Sequence, residues 1–288
     1  MTEPRAARTL IYPGLSDPRW WQLAFLVCFV SYALASPGFS RSPIQWLVGI
    51  ATCVGLDFLL TLLLRGTLVV PVSGLISSMG LLLLCDSPVL WPYPACGALA
   101  IGSKHIIRFR GKHVFNPLNF GIVVGLLLFS CDMTIVASRW GGGLPAMAFV
   151  AILGSVASYK AHRLDLSATY VVTFALGGIV RMLISHAPLW TVLNPMTGAA
   201  FQLFTFFMIS DPMTTPQTSR GRIVYGVVLA SLDSVLRFNQ IEFSPFFALF
   251  LMAGLLPVFR RFFAPREEEV VWRPVVRELG PGLEHATK

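Results

Sequence analysis

Apolar residues run through this chain in long blocks, separated by short polar breaks rich in Gly, Pro, Lys and Arg. Ten blocks are legible, at residues 20–35, 45–64, 68–84, 91–107, 116–130, 144–159, 166–185, 193–209, 223–236 and 244–259. Several approach the ~20 residues that a helix needs to cross a hydrocarbon core. The blocks are continuously apolar and do not alternate residue by residue, so they predict helices rather than the strands of a barrel. The first nineteen residues are polar and contain Pro. No small-residue cleavage site follows the first block, so that block is expected to be a retained span and not a signal peptide. The segment after Phe263 is charged and contains Pro, and is expected to be loosely ordered.

Composition agrees with that pattern. The chain has 288 residues, 55% of them hydrophobic and 12% charged. A soluble domain carries about 25% charge, so too little polar surface remains here to face water on all sides. The reading is an all-α integral membrane protein with about ten transmembrane helices. The formal net charge of +8 would suggest nucleic acid in a soluble protein. The basic residues instead sit in short breaks between apolar blocks, as membrane topology requires, and no nucleic-acid partner is expected.

The placement of charge also predicts orientation. Eighteen of the 22 Lys and Arg residues fall on the side that holds both ends of the chain, and four (Arg41, Arg139, Arg181 and Arg237) fall toward the other. Excess positive charge marks the cytoplasmic side. The chain is therefore expected to be multi-pass in the cell inner (plasma) membrane, surrounded by lipid, with both termini cytoplasmic.

A weak internal repeat adds architecture. A shift of 124 lays Ser73-Gly74 on Thr197-Gly198 and Ser87-Pro88 on Asp211-Pro212. A shift of 128 or 129 lays Arg108-Phe109 on Arg237-Phe238, Phe115 and Pro117 on Phe243 and Pro245, and Gly125-Leu126-Leu127 on Gly254-Leu255-Leu256. The matches are collinear. Five spans per repeat is an odd number, so the second half enters the membrane from the opposite side. That gives two inverted five-helix repeats, an arrangement that places sites at the midplane between halves. The expected organisation is a cytoplasmic segment at 1–19, a first repeat at 20–130, an outward linker at 131–143, a second repeat at 144–259 and a cytoplasmic tail at 260–288.

Two segments carry candidate chemistry. In FNPLNFG (115–121), Asn116-Pro117 opens a block and Asn119 lies just inside it; LNPMTG (193–198) echoes it. An Asn-Pro start followed closely by Gly suggests broken or re-entrant helices whose N-terminal dipoles can face a ligand. Plain capping accounts for the same residues equally well. After 193–209 the chain reads SDPMTTPQTSRGR (210–222), hydroxyls followed by two arginines. That pattern suits either an anionic ligand or a helix cap with a positive-inside loop. The candidate ligand or ion site is accordingly Asn116, Asn119, Thr197, Asp211, Thr214, Arg220 and Arg222. Asp57, Asp233 and Arg181 lie inside predicted spans, where ionisable groups are costly and suspect; Asp57 is nearest the middle.

Other chemistries find little support. His105 and His113 read as members of a basic loop with no carboxylate partner, and no two histidines have metal-ligand spacing, so no structural metal is expected. The five cysteines form no C-x-x-C pair and read as small packing residues. Walker and dinucleotide-binding fingerprints are absent.

At these segments the chain resembles the NqrB/RnfD membrane subunits of sodium-pumping NADH:quinone reductase and of the Rnf electron-transport complex. The resemblance rests on SDPMTTPQTSRGRIVYG (210–226), FNPLNFG (115–121) and YKAHRLDLSATYVVTF (159–174), and covers roughly residues 45–262. It implies a urea-channel-like inverted repeat, flavin-mediated electron transfer coupled to ion transport, and other redox membrane subunits as partners. It also exposes a departure. The family attaches FMN to a threonine in a Ser-x-Ala-Thr motif within a long outward segment. The corresponding link here, CDMTIVASRWGGG (131–143), is short and has no Ala-Thr pair. Ser167-Ala168-Thr169 carries the pair but on the cytoplasmic side. Covalent FMN is therefore not expected, and a flavin (riboflavin or FMN), if held, is held non-covalently. The missing anchor leaves two alternatives open on the same scaffold: a small-solute channel or permease, and a membrane accessory of a biosynthetic pathway.

Overall fold

The computed structural model describes residues 10–14, 17–36, 39, 41–109, 111–135, 143–263 and 276–279. The expected N-terminal segment before residue 10, most of the linker (136–142), and most of the tail lie outside the described residues.

In chain order the elements are β1 (Leu10–Pro13), α1 (Pro18–Ala35), α2 (Pro43–Arg65), β2 (Leu68–Val69), α3 (Val72–Leu84), β3 (Cys85–Asp86), α4 (Pro92–Ile106), β4 (Arg108–Phe109), β5 (Lys112–His113) and α5 (Pro117–Phe129). After β6 (Thr134–Ile135) come α6 (Gly143–Lys160), α7 (Leu164–Ser185), α8 (Leu189–Leu193), a 3-10 turn (Asn194–Thr197), α9 (Ala199–Leu203), a π-helical turn (Phe204–Met208), α10 (Ser219–Phe238), α11 (Ser244–Phe262) and β7 (Val276–Leu279). Three helices are long and apolar enough to cross a membrane by length and composition: α2, α7 and α11. Five other apolar stretches are shorter. Their outward faces carry Leu47, Leu63, Leu127, Leu183, Trp190 and Phe262 exposed. Large apolar side chains exposed in such number have no place in water, and the molecule is a membrane protein.

Helix ends follow local chemistry. Asp17 caps α1, accepting from the Arg19 amide. Ser42 and Gln45 form a reciprocal capping box at the start of α2, and Gly66 closes that helix in the left-handed region at φ 66°. Asn116 caps α5 and accepts from the Asn119 amide at 3.0 Å, with Pro117 at the first helical position.

Three expectations are corrected. The block at 193–209 is not one continuous helix but a helix, a 3-10 turn, a second short helix and a π turn. Pro195 supplies no amide hydrogen, and Gly198 takes an extended conformation (φ −82°, ψ 144°) that interrupts the helix. The block at 68–84 begins instead as a short strand, with the helix starting only after Pro71. The tail, expected to be loosely ordered, contributes β7, which pairs antiparallel with β1 while β2 pairs parallel on the other edge.

Packing is dense where small residues face neighbours. α2 lies against α3 and α4, α4 against α5, and α7 against α10. A methyl group on Gly74 would come within 2.9 Å of the Cys53 carbonyl and 3.0 Å of the Asp57 Cβ. Only glycine lets α3 approach α2 this closely. One aromatic cluster (Phe25, Phe29, Phe207) joins α1 to the π turn, and another (Tyr170, Phe174, Phe201, Phe204, Phe246) fills the second half.

Candidate functional site

A cavity of about 300 Å³ lies between α1, α2, α3, α4, the start of α5 and residues 203–213. Its apolar wall includes Leu26, Ile76, Leu84, Leu118, Leu203 and Phe207. Its polar lining includes Arg19, Asp57, Arg65, Ser73, Lys104, His105, Arg108, His113, Asn116 and Asp211. Cations outnumber carboxylates on this surface, so the cavity favours an anionic or polar group beside an apolar body.

The polar centre is Asp57 in α2. Its side chain is only 3% exposed, so an unpaired charge there would be strongly unfavourable. Oδ1 accepts from Lys104 Nζ at 2.6 Å and lies 2.8 Å from His105 Nε2. Oδ2 accepts from the Ser73 hydroxyl at 2.9 Å. Lys104 Nζ also donates to Ser73 Oγ at 2.6 Å, closing a ring of three groups. An ionised carboxylate only accepts, so His105 contributes its N–H to this bond. Helices α2, α3 and α4 each supply one part, and Gly74 permits their approach.

A second pair also lines the cavity. His113 Nε2 sits 3.3 Å from Asp211 Oδ2, joining β5 to the loop after the π turn. Asp211 also accepts from the Met213 amide at 2.9 Å and the Thr214 hydroxyl at 3.1 Å. Burial raises the Asp211 carboxyl, but the His113 bond and charge, with the Met213 and Thr214 bonds, outweigh it and hold the group below the ordinary carboxylate value.

The expectation that His105 and His113 lack carboxylate partners is therefore wrong. Their partners stand 48 and 98 residues away in the chain, beyond the reach of a spacing argument.

The seven sequence-derived site residues do not gather in one place. Asn116 and Asp211 line the cavity. Asn116 Nδ2 donates to the Met208 carbonyl at 3.3 Å, and Asn119 Nδ2 to the Phe246 carbonyl at 3.1 Å, so both tie α5 to the second half. Asn119 is buried behind the wall. Thr197 is half-buried and donates to the nearby Asn194 carbonyl at 2.7 Å. Thr214 serves Asp211 as above. Arg222 pairs with Asp165 at 2.7 Å, and Arg220 is exposed. The hydroxyl-rich segment is thus a self-bonded loop. Arg163, 2% exposed, fastens it by donating to Thr215 Oγ1 and Gln217 Oε1, both at 3.1 Å. The suspects deeper in the second half differ from Asp57. Asp233 is fully enclosed by Tyr170, Arg237 and Ser244 and does not line the cavity, and Arg181 donates to the Val192 carbonyl.

Sequence reasoning named Asp57 but missed Lys104, His105, Ser73 and Phe207. One signal was available. Lys104 lies inside the apolar block at 91–107, where an ionisable residue is a functional suspect, yet it reads equally as a positive-inside loop cation. Among the described residues no group of His, Cys, Asp and Glu is arranged to hold a metal ion.

Comparison with known families matches residues 145–268 to the NQR2, RnfD, RnfE family. No curated protein matches the chain.

Proposed function

We propose that this chain, whose residues 145–268 match the NQR2, RnfD, RnfE family, is an integral membrane subunit of an electron-transport complex and holds a flavin non-covalently in the cavity. The observation that carries the reading is the cavity's combination of an apolar, Phe207-bearing wall with a cationic rim. Ligand sites of this kind run from roughly 300 to 1,000 Å³, and the cavity of about 300 Å³ stands at the small end of that range. Phe207, Leu118 and Ile76 would flank a flat ring. Arg65 has no ion-pair partner among the described residues; with Arg108 it would face the phosphate of FMN or the ribityl hydroxyls of riboflavin. A bound flavin supplies one- and two-electron chemistry. The protein's own contribution is to exclude water from the ring with its apolar wall and to hold positive charge beside it.

The finer architecture belongs to the same proposal: ten spans in two inverted five-helix halves, both ends cytoplasmic in the inner membrane. The packing pattern supports it, because contacts recur in equivalent pairs. α2–α4 corresponds to α7–α10, α4–α5 to α10–α11, and α1–α3 to α6 with the π turn. The equivalent helices α1 and α6 meet each other, as do α5 and α11, as expected about a two-fold axis. The excess of basic residues lining the cavity supports a cytoplasmic orientation for it. Other redox membrane subunits are the expected partners, and the family's covalent FMN is not expected here. A small-solute permease is the second reading, favoured by the same short link that lacks the flavin anchor.

The direct test is the absorbance spectrum of purified protein, as isolated and after incubation with riboflavin or FMN, with and without dithionite. A flavin spectrum that survives gel filtration and bleaches on reduction is expected. Its absence in every condition, together with solute flux in proteoliposomes, would favour the permease.

A further inference from the structure

The Asp57 ring has the geometry of a cation site whose cation is already part of the chain. Two carboxylate oxygens and the Ser73 hydroxyl converge on the cavity lining, about 12 Å along α2 from Arg65 by the 1.5 Å rise per residue of a helix. Hard oxygen donors around a single negative charge are what an alkali cation seeks. Here the Lys104 ammonium takes that place, 2.6 Å from Asp57 Oδ1 and 2.6 Å from Ser73 Oγ. We propose that Asp57, Ser73 and Lys104 form a cation site filled by a tethered ammonium, so that Lys104 excludes sodium and the only ion exchanged at this site is the proton.

The surroundings agree with that assignment. From α4, His105 shares Asp57 Oδ1 with Lys104, and Arg108 lies beyond on the cavity surface; α2 adds Cys53 one turn away and Arg65 at its end; α1 contributes Arg19, already paired with Asp17. His113 and Asp211, also on the cavity, pair with each other. Thus one carboxylate stands among several cations, and a free sodium ion would add charge to a region already positive. The site faces the cavity, so water can carry a proton to and from it. Loss of one proton from Lys104 to water leaves a neutral amine and lowers the charge of the site by one; its return restores the pair. The enclosed Asp233 cluster does not line the cavity, which confines the proposal to the first half. The inference rests on the cavity's lining and is independent of whether a flavin binds.

The test is thermal unfolding of the full-length protein in detergent at neutral pH. Sodium-free buffer is compared with about 0.3 M NaCl, ionic strength being held with choline chloride. Wild type is expected to show no sodium-specific change. Lys104→Ala and Lys104→Ser, which leave the oxygen donors without a cation, should be less stable without sodium and recover by at least about 3 °C with it. Adding Asp57→Asn to either variant should abolish the sodium response. The proposal is overturned by a sodium-specific shift in wild type. It is equally overturned if both lysine variants remain unresponsive to sodium, or fail to accumulate as folded protein even when sodium is supplied throughout.

Discussion

At the scale of single residues, paired charges dominate. Asp57 and Asp211 both sit on the cavity, and each depends on a cationic or hydrogen-bonding partner far away in sequence. For Asp211 the consequence is a pH dependence of defined sign. Its folded carboxyl lies below the ordinary value. Its stabilising contribution is therefore complete above the unfolded-state pKa and is lost as pH falls through the folded one. Asp211→Asn removes this contribution. Unfolding temperatures measured across the acid range should fall less steeply with pH in the variant than in wild type; equal slopes would mean that the His113 pair does not act this way. Of the Asp57 cluster, only Asp57 itself was legible in the sequence. A carboxylate in the middle of an apolar block is conspicuous, whereas a lysine and a histidine near a block's end look like loop residues. The pairing spans 47 and 48 residues, and no local pattern encodes it.

Elements are set by where the backbone can and cannot continue. Apolar blocks were readable as helices because a membrane leaves few other ways to bond the backbone. Their internal breaks were less so, since hydropathy does not register that Pro71 delays α3 or that Pro195 and Gly198 divide the block at 193–209. The approach of α3 to α2 rests on Gly74. Gly74→Ala would force the Cys53 carbonyl or the Asp57 side chain to move. Overpacking of this kind costs about 1–3 kcal/mol. A lowered unfolding temperature is expected, with the larger change in the Asp57 ring itself. An alanine variant as stable as wild type would show that the two helices are not held at this separation. The loop at 211–218 teaches the converse lesson: its hydroxyls looked like a ligand site, but Thr214 and Thr215 donate to Asp211, and Thr215 accepts from the buried Arg163.

For the whole molecule, the cavity is the feature on which the proposed function rests. The family match lies in the later part of the chain, residues 145–268. Most of the polar lining of the cavity comes from the earlier part. The candidate site residues, read from local motifs in both parts, scatter through the structure. Thr197, Arg220 and Arg222 stand off the cavity, while Asn116 and Asp211 stand on it. Fluorescence titration of riboflavin and FMN is the most direct test of the central claim, using wild type and a variant with the cavity filled. Ser77 lines the cavity without belonging to the Asp57 ring, so Ser77→Trp fills the space. Saturable quenching near one flavin per chain is expected in wild type and should be lost in Ser77→Trp, with the unfolding temperature showing that the variant still folds. Absence of saturable binding in wild type, or binding unchanged by the tryptophan, would contradict the assignment of this cavity to a flavin.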